Sequence, residues 1–236
     1  MLEIVEHLHW GAVFQIVLID VLLGGDNSVV IALACRKLDH KRRALGILWG
    51  TFGAIALRII LVVFALQLLV MPYLKLVGAL LLLWIGVKLL LPNDGHNNDI
   101  DGSESILAAV RTIIVADFVM SLDNVIAISG AAQNSIPEHR ALYVVFGLLF
   151  SVPIIVWGSA LVLKLIDRFP IMIFLGAGLL GWIAGGLLMA DPAVAPWVSP
   201  LSESARLVVK IVGALFVMGL GSWLAHRHEV ASDAPT

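Results

Sequence analysis

Ile19-Asp20-Val21-Leu22-Leu23-Gly24-Gly25-Asp26-Asn27 is an apolar stretch interrupted by acids. It returns 97 residues later as Ala116-Asp117-Phe118-Val119-Met120-Ser121-Leu122-Asp123-Asn124. The same shift lays Ile31 on Ile128, Ala34 on Ala131, Arg43 on Arg140 and Gly50 on Gly147. After one inserted residue, Pro72 falls on Pro170, Gly78 on Gly176 and Trp84 on Trp182. Apolar coincidences come cheaply in such a chain. Paired aspartates, asparagines, prolines and tryptophans do not, so the sequence reads as two related units.

The surroundings of both stretches decide the class. Of 236 residues, 60% are hydrophobic and 14% charged, whereas soluble domains run near half and a quarter. Mean hydropathy is +1.00. The excess forms runs at about 11–35, 44–70, 72–91, 106–132, 141–166, 170–190 and 205–224, each near the ~20 residues that a helical span needs. Backbone in lipid must satisfy its own hydrogen bonds, so these are helices. The expectation is an all-α polytopic membrane protein with about seven transmembrane helices in one domain over residues 1–225. Each repeat, 11–91 and 106–190, holds three spans. Three is odd, so the second copy enters from the opposite side, giving two inverted three-helix repeats plus one extra helix. Pro153 falls inside the fifth span and predicts a kink there.

Direction follows from the 15 Lys and Arg residues. With Arg36, Lys37, Lys41, Arg42 and Arg43 in the cytoplasm, Lys88, Arg111, Lys164, Arg168 and Arg227 fall there too. Only Lys75, Arg140, Arg206 and Lys210 fall outside. The positive-inside rule thus puts the N-terminus outside and the C-terminus in the cytoplasm of a multi-pass inner or plasma membrane protein. Met1 to His9 carries Glu3 and Glu6 and no basic n-region, so the first run is read as a retained span rather than a signal peptide. Residues 92–105 are read as a polar cytoplasmic loop; its Asp94, Asp99, Asp101 and Glu104 lack the spacing of an EF-hand. Residues 226–236 are read as a polar, disordered tail with solvated His226 and His228. A net charge of −2 leaves no basic footprint for nucleic acid.

The acids in the two quoted stretches lie near the middle of the first and fourth spans. An aspartate there costs about 2.5–3.5 kcal/mol on insertion scales, and so short a side chain cannot snorkel. A polar group binding helices together explains one Asn or Ser well and four carboxylates poorly. On a helix Asp20 sits over Asn27 and Asp117 over Asn124, while Asp26 and Asp123 point about 100° from their neighbouring asparagines. A local break would converge them. Gly24-Gly25 offers one and would free backbone carbonyls for a cation; the fourth span has Ser121-Leu122 there. The candidate metal ligands are therefore Asp20, Asp26, Asn27, Asp117, Asp123 and Asn124. Their all-oxygen character suits Mg²⁺, Ca²⁺ or Mn²⁺ better than zinc or copper. Cys35, the only cysteine, is read as a packed small hydrophobe.

Arg58 is the complementary oddity, since its counterpart in the second unit is Ile155. An ion pair with one of the aspartates is the favoured reading, because an unpaired buried Arg is expensive. The other is a movable counter-charge that fills the site after the metal leaves. Gly46 and Gly50, and Gly181 and Gly185, form small-xxx-small pairs that predict close helix packing.

The doubled Asp20…Gly24-Gly25-Asp26-Asn27 and Asp117…Ser121-Leu122-Asp123-Asn124 pattern resembles the TerC family of integral membrane proteins over about residues 10–224. That resemblance implies Mn²⁺ as cargo, export as direction and, in some bacteria, metal supply to secreted proteins near the secretion machinery. The residues alone reach only a hard divalent cation. The reading is a secondary transporter, not an enzyme, with no permanently bound cofactor and with Mn²⁺ (or Ca²⁺ or Mg²⁺) as the transported ion. Its partners are the cation, the bilayer and the secretion machinery. An accessory metal-supplying membrane protein is the alternative. An intramembrane aspartyl protease is a weaker one, since the acids are four rather than two and no Pro-Ala-Leu element occurs.

Overall fold

The computed structural model describes residues 10–64, 68, 71–91, 102–133, 140–198 and 202–232. They form helices α1 (Trp10–Leu23), α2 (Gly25–Cys35), α3 (His40–Val63), α4 (Leu74–Leu90), α5 (Gly102–Gln133), α6 (Arg140–Arg168), α7 (Ile171–Ala190), α8 (Ala195–Val198) and α9 (Glu203–Ser232). No strand occurs among the described residues.

Among the described residues, five helices are long and apolar enough to cross a membrane: α3, α5, α6, α7 and α9. Within α1 and α2, Val13–Leu22 and Gly25–Cys35 are bent by 54° at Gly24; taken together, the pair is long and apolar enough for one more, broken span. α4, at 17 residues, lies at the short end of what spans a bilayer. The outward surface is what lipid requires. Trp49, Phe52, Ile60, Trp157 and Leu215 all face out, an exposure that a water-soluble protein of this size avoids.

α3 ends at Val63 within the expected second span, whose residues 65–67 and 69–70 lie outside the described residues. One expectation shifts. α9 runs on through His226 and Arg227 to Ser232, so the segment read as a disordered tail begins as helix. Ala225, His226, Arg227 and Glu229 are adequate helix formers, and hydropathy had registered only where the lipid-facing stretch ends. α5 is unbroken through Ser121-Leu122, so the first unit's break has no counterpart there. Of the polar loop, residues 92–101 lie outside the described residues. Pro153 is carried within α6.

Helix pairing is reciprocal between the two units. α1 and α2 pack on α6, α5 packs on α3, and α4 packs on α7. First-with-fifth and fourth-with-second are the pairs that two related three-helix units exchange, and third-with-sixth is the pair they share. α9 sits outside them: only 11% of its most apolar stretch is buried. It is held where backbones touch. A Cβ on Gly185 would lie 2.8 Å from Lys210 Cα, and one on Gly181 would strike the Gly213 carbonyl. This is the close packing expected of small-xxx-small pairs. Gly50 likewise admits the Ile113 side chain.

Side-chain bonds tie both ends of the bundle. Asp191, fully buried just beyond α7, accepts from Tyr73 N–H (3.0 Å), Leu76 N–H (3.0 Å) and Ala193 N–H (2.8 Å). It thereby caps α4, whose first turn has no cap of its own. Tyr73 takes the left-handed conformation, φ 68°, to present its N–H. At the opposite end Arg43 Nη1 meets Asp167 at 2.6 Å, and its other nitrogens donate to Leu38 O and Arg36 O. Arg36 in turn donates to Leu89 O, at the end of α4. Cys35 is buried in the apolar core beside these groups, as its reading as a small hydrophobe requires.

Candidate functional site

The break in the first span places the first two site residues. Gly24 N–H donates to Asp20 O at 2.8 Å, and Asn27 N–H donates to Gly24 O at 3.0 Å. A Cβ on Gly24 would press into the Asp20 carbonyl oxygen, so only glycine fits this turn. The Asp20 and Gly24 carbonyls at the break are thus engaged by the chain itself. The turn carries Asn27 toward α5, where its Nδ2 donates to Asp117 Oδ1 at 2.9 Å.

Arg58 lies at the centre, 1% exposed. Its Nη1 donates to Asp20 and its Nη2 to Asp117, while Nε donates to Ser121 Oγ at 2.9 Å. The guanidinium therefore bridges one aspartate from each unit, rather than pairing with a single one. Its planar fork suits this, because it can grip two carboxylates at once. The remaining carboxylate oxygens also have partners. Ser121 Oγ donates to Asp117 Oδ2 at 3.1 Å, and Ser151 Oγ to Asp20 Oδ2. One guanidinium between two carboxylates leaves one formal negative charge over.

Two neighbouring oxygens have no hydrogen-bond partner although both are buried: Asp26 Oδ1 and Asn27 Oδ1. Asp26 lies within electrostatic reach of both Arg58 and Asp117. A cavity of about 10 Å³ opens beside Asn27 and Asp117, lined otherwise by Val30, Ile31, Ile113 and Met120. That is room for a single water-sized particle. Another unpartnered buried oxygen, Thr51 Oγ1, lies on α3 two turns before Arg58 and on the same face.

Apolar layers seal the cluster on both sides. One is built from Val13, Ile16, Ile55, Ile128, Tyr143 and Leu148. The other contains Ile31, Leu33, Ile47, Ile113, Val119 and Ile155. Coulombic interactions inside such walls are far stronger than at a surface.

Of the six residues expected as ligands, the structure brings together Asp20, Asn27 and Asp117, with Asp26 at their edge. The side chain of Asp123 lies outside the described residues. Asn124 is partly buried on α5. Among the described residues no three His, Cys, Asp or Glu side chains are placed to hold a metal ion. The guanidinium of Arg58 stands between Asp20 and Asp117. Two participants went unseen in the sequence. Ser121 was legible, four residues after Asp117 and so on its face. Ser151 is an ordinary span serine, and nothing in its neighbourhood signals a partner on α1.

Residues 5–229 match the family model described as "Integral membrane protein TerC family". Among curated proteins, the uncharacterized membrane protein YjbE of Bacillus subtilis is 42% identical over 186 residues, covering 79% of this chain and 83% of that one. The uncharacterized membrane protein YceF of the same organism is 25% identical over 139 residues, 55% of this chain and 54% of its own. The UPF0053 inner membrane protein YgdQ of Escherichia coli is 24% identical over 163 residues, 59% and 66% of the two chains. No solved structure matches.

Proposed function

Because the chain belongs to the TerC family of integral membrane proteins, we propose that it is a secondary transporter exporting a divalent metal cation, Mn²⁺ first among the candidates. The observation that carries this reading is the buried cluster itself. Carboxylates from both units, Asp20 and Asp117, meet around one cationic group between two apolar layers. A structural role for one buried pair is ordinary. Two carboxylates with surplus negative charge, and unpartnered Asp26 and Asn27 oxygens alongside, favour a group that accepts and releases a cation. Hard oxygen donors select Mn²⁺, Mg²⁺ or Ca²⁺ over softer metals, and manganese is what the family resemblance adds. Asp123 and Asn124 complete the proposed ligand set from the second unit. The two units would rock against one another around this midplane cluster, with the N-terminus outside and the C-terminus in the cytoplasm. No catalytic step is part of this reading.

The test is flux. Wild-type protein in proteoliposomes loaded with Mn²⁺ should move it, and Asp26→Asn, Asp117→Asn and Asp123→Asn should each lose most of that flux at equal incorporation. Wild-type flux in all three variants would refute the reading.

A further inference from the structure

Both oxygens of Asp20 and both oxygens of Asp117 already have partners. These two carboxylates are the donors that two different units contribute, and one oxygen of each is held by a cation that the protein carries itself, the other by a serine hydroxyl. A dication and a guanidinium compete for the same carboxylates, and at such close range their like charges repel. The geometry points to Arg58 as a tethered counter-cation: it holds the Asp20 and Asp117 carboxylates whenever no cargo is bound, and the arriving metal ion displaces it. Loading the ion and releasing the guanidinium are then one exchange. This deepens the transport reading and rests on it.

Three features support the exchange. First, carboxylates stripped of any cation between apolar layers are strongly disfavoured, so an empty carrier needs neutralisation to cross back. Arg58 supplies one of the two positive charges with no co-transported ion. Second, the oxygens left unpartnered, Asp26 Oδ1 and Asn27 Oδ1, lie on the turn beside Asp117. An ion can engage them before the guanidinium lets go. Third, the device is single. The counterpart of Arg58 in the second unit is Ile155, which is packed in the apolar core. One guanidinium reaches both carboxylates, so a single cationic side chain serves the two units.

The exchange is tested by Mn²⁺ titration of the purified full chain, comparing wild type with Arg58→Met and Arg58→Lys. Removing the competitor should tighten binding, which a merely structural Arg58 would not do. Arg58→Met should lower Kd at least about tenfold, with Arg58→Lys between, since an ammonium grips one carboxylate at a time. In proteoliposomes Arg58→Met should lower both KM and maximal flux, because the empty carrier then returns with naked carboxylates. Should Arg58→Met fail to fold, Arg58→Lys alone still decides: at least about threefold tighter binding is expected, and an unchanged Kd overturns the proposal. If wild type binds and neither variant binds more tightly, the exchange falls and the transport reading stands. If no form binds Mn²⁺, Mg²⁺ or Ca²⁺, both fall.

Discussion

Asn27 and Asp117 stand 90 positions apart in the chain and 2.9 Å apart in space, the amide of one donating to the carboxylate of the other. The bond joins the turn after the Gly24 break to the unbroken α5, and leaves the amide oxygen turned to no partner. Asn27→Leu removes a donor to a buried carboxylate and a free oxygen together. It should cost about 1–3 kcal/mol of stability and abolish most Mn²⁺ flux in proteoliposomes. Retained flux with unchanged thermal stability would contradict this placement.

The break itself can be straightened. Gly24→Ala sets a methyl group against the Asp20 carbonyl oxygen, and the turn must move to receive it. Every carboxylate stays in the chain, so loss of flux would report position rather than chemistry. The expected outcome is a destabilisation of about 1–3 kcal/mol and a marked fall in flux. A variant matching wild type in melting temperature and transport would show that the 54° bend is dispensable.

Arg43 and Asp167 link the first turn of α3 to the end of α6 at 2.6 Å. Arg43 also holds the carbonyls of Leu38 and Arg36, so Arg43→Ala should cost more than Asp167→Ala. The ion pair is partly exposed and is worth no more than about 1 kcal/mol. The carbonyl bonds supply the rest. Melting temperatures of the two variants in one detergent check the order, and equal values would deny Arg43 its bracing role.

Asp191 gives a pH signature. Burial alone would raise its carboxyl, but the N–H groups of Ala193, Tyr73, Leu76 and Lys75 outweigh burial and hold it below the usual carboxylate range. A depressed folded-state value means that the cap is fully present above the unfolded value of about 3.9. Its contribution is lost as pH falls through the lower folded value. Stability from this group should therefore be flat between neutrality and about pH 5, declining only below about pH 4. Asp191→Asn should lose about 1 kcal/mol at pH 7 and show a shallower acid decline than wild type. A variant with the wild-type acid profile would exclude the carboxylate as the cause.

Much of this was legible in the residues, for identifiable reasons. Hydropathy marks where lipid contacts the chain, so the span positions emerged. It does not mark helix ends, which is why α9 outran its apolar stretch to Ser232. The repeat pointed to Asp20, Asp26, Asn27, Asp117, Asp123 and Asn124 as a set because acids at that depth are too costly to be duplicated idly. It also made the set look like an open cage. Only the fold could show that Arg58 reaches both carboxylates, since nothing in a linear sequence says which helix faces α3. Ser151 and Asp191 were invisible for the same reason. Each acts on a partner more than 100 positions away.

The cap on α4 also has a consequence in time. The N–H of Leu76 waits for a carboxylate made 115 residues later. At synthesis rates of 5–20 residues per second, that delay is on the order of ten seconds. Throughout it, the first turn of α4 is uncapped, and Tyr73 has no reason to adopt its left-handed twist. α4 therefore acquires its final end only after α7 has been made, and its last step of folding joins the two units.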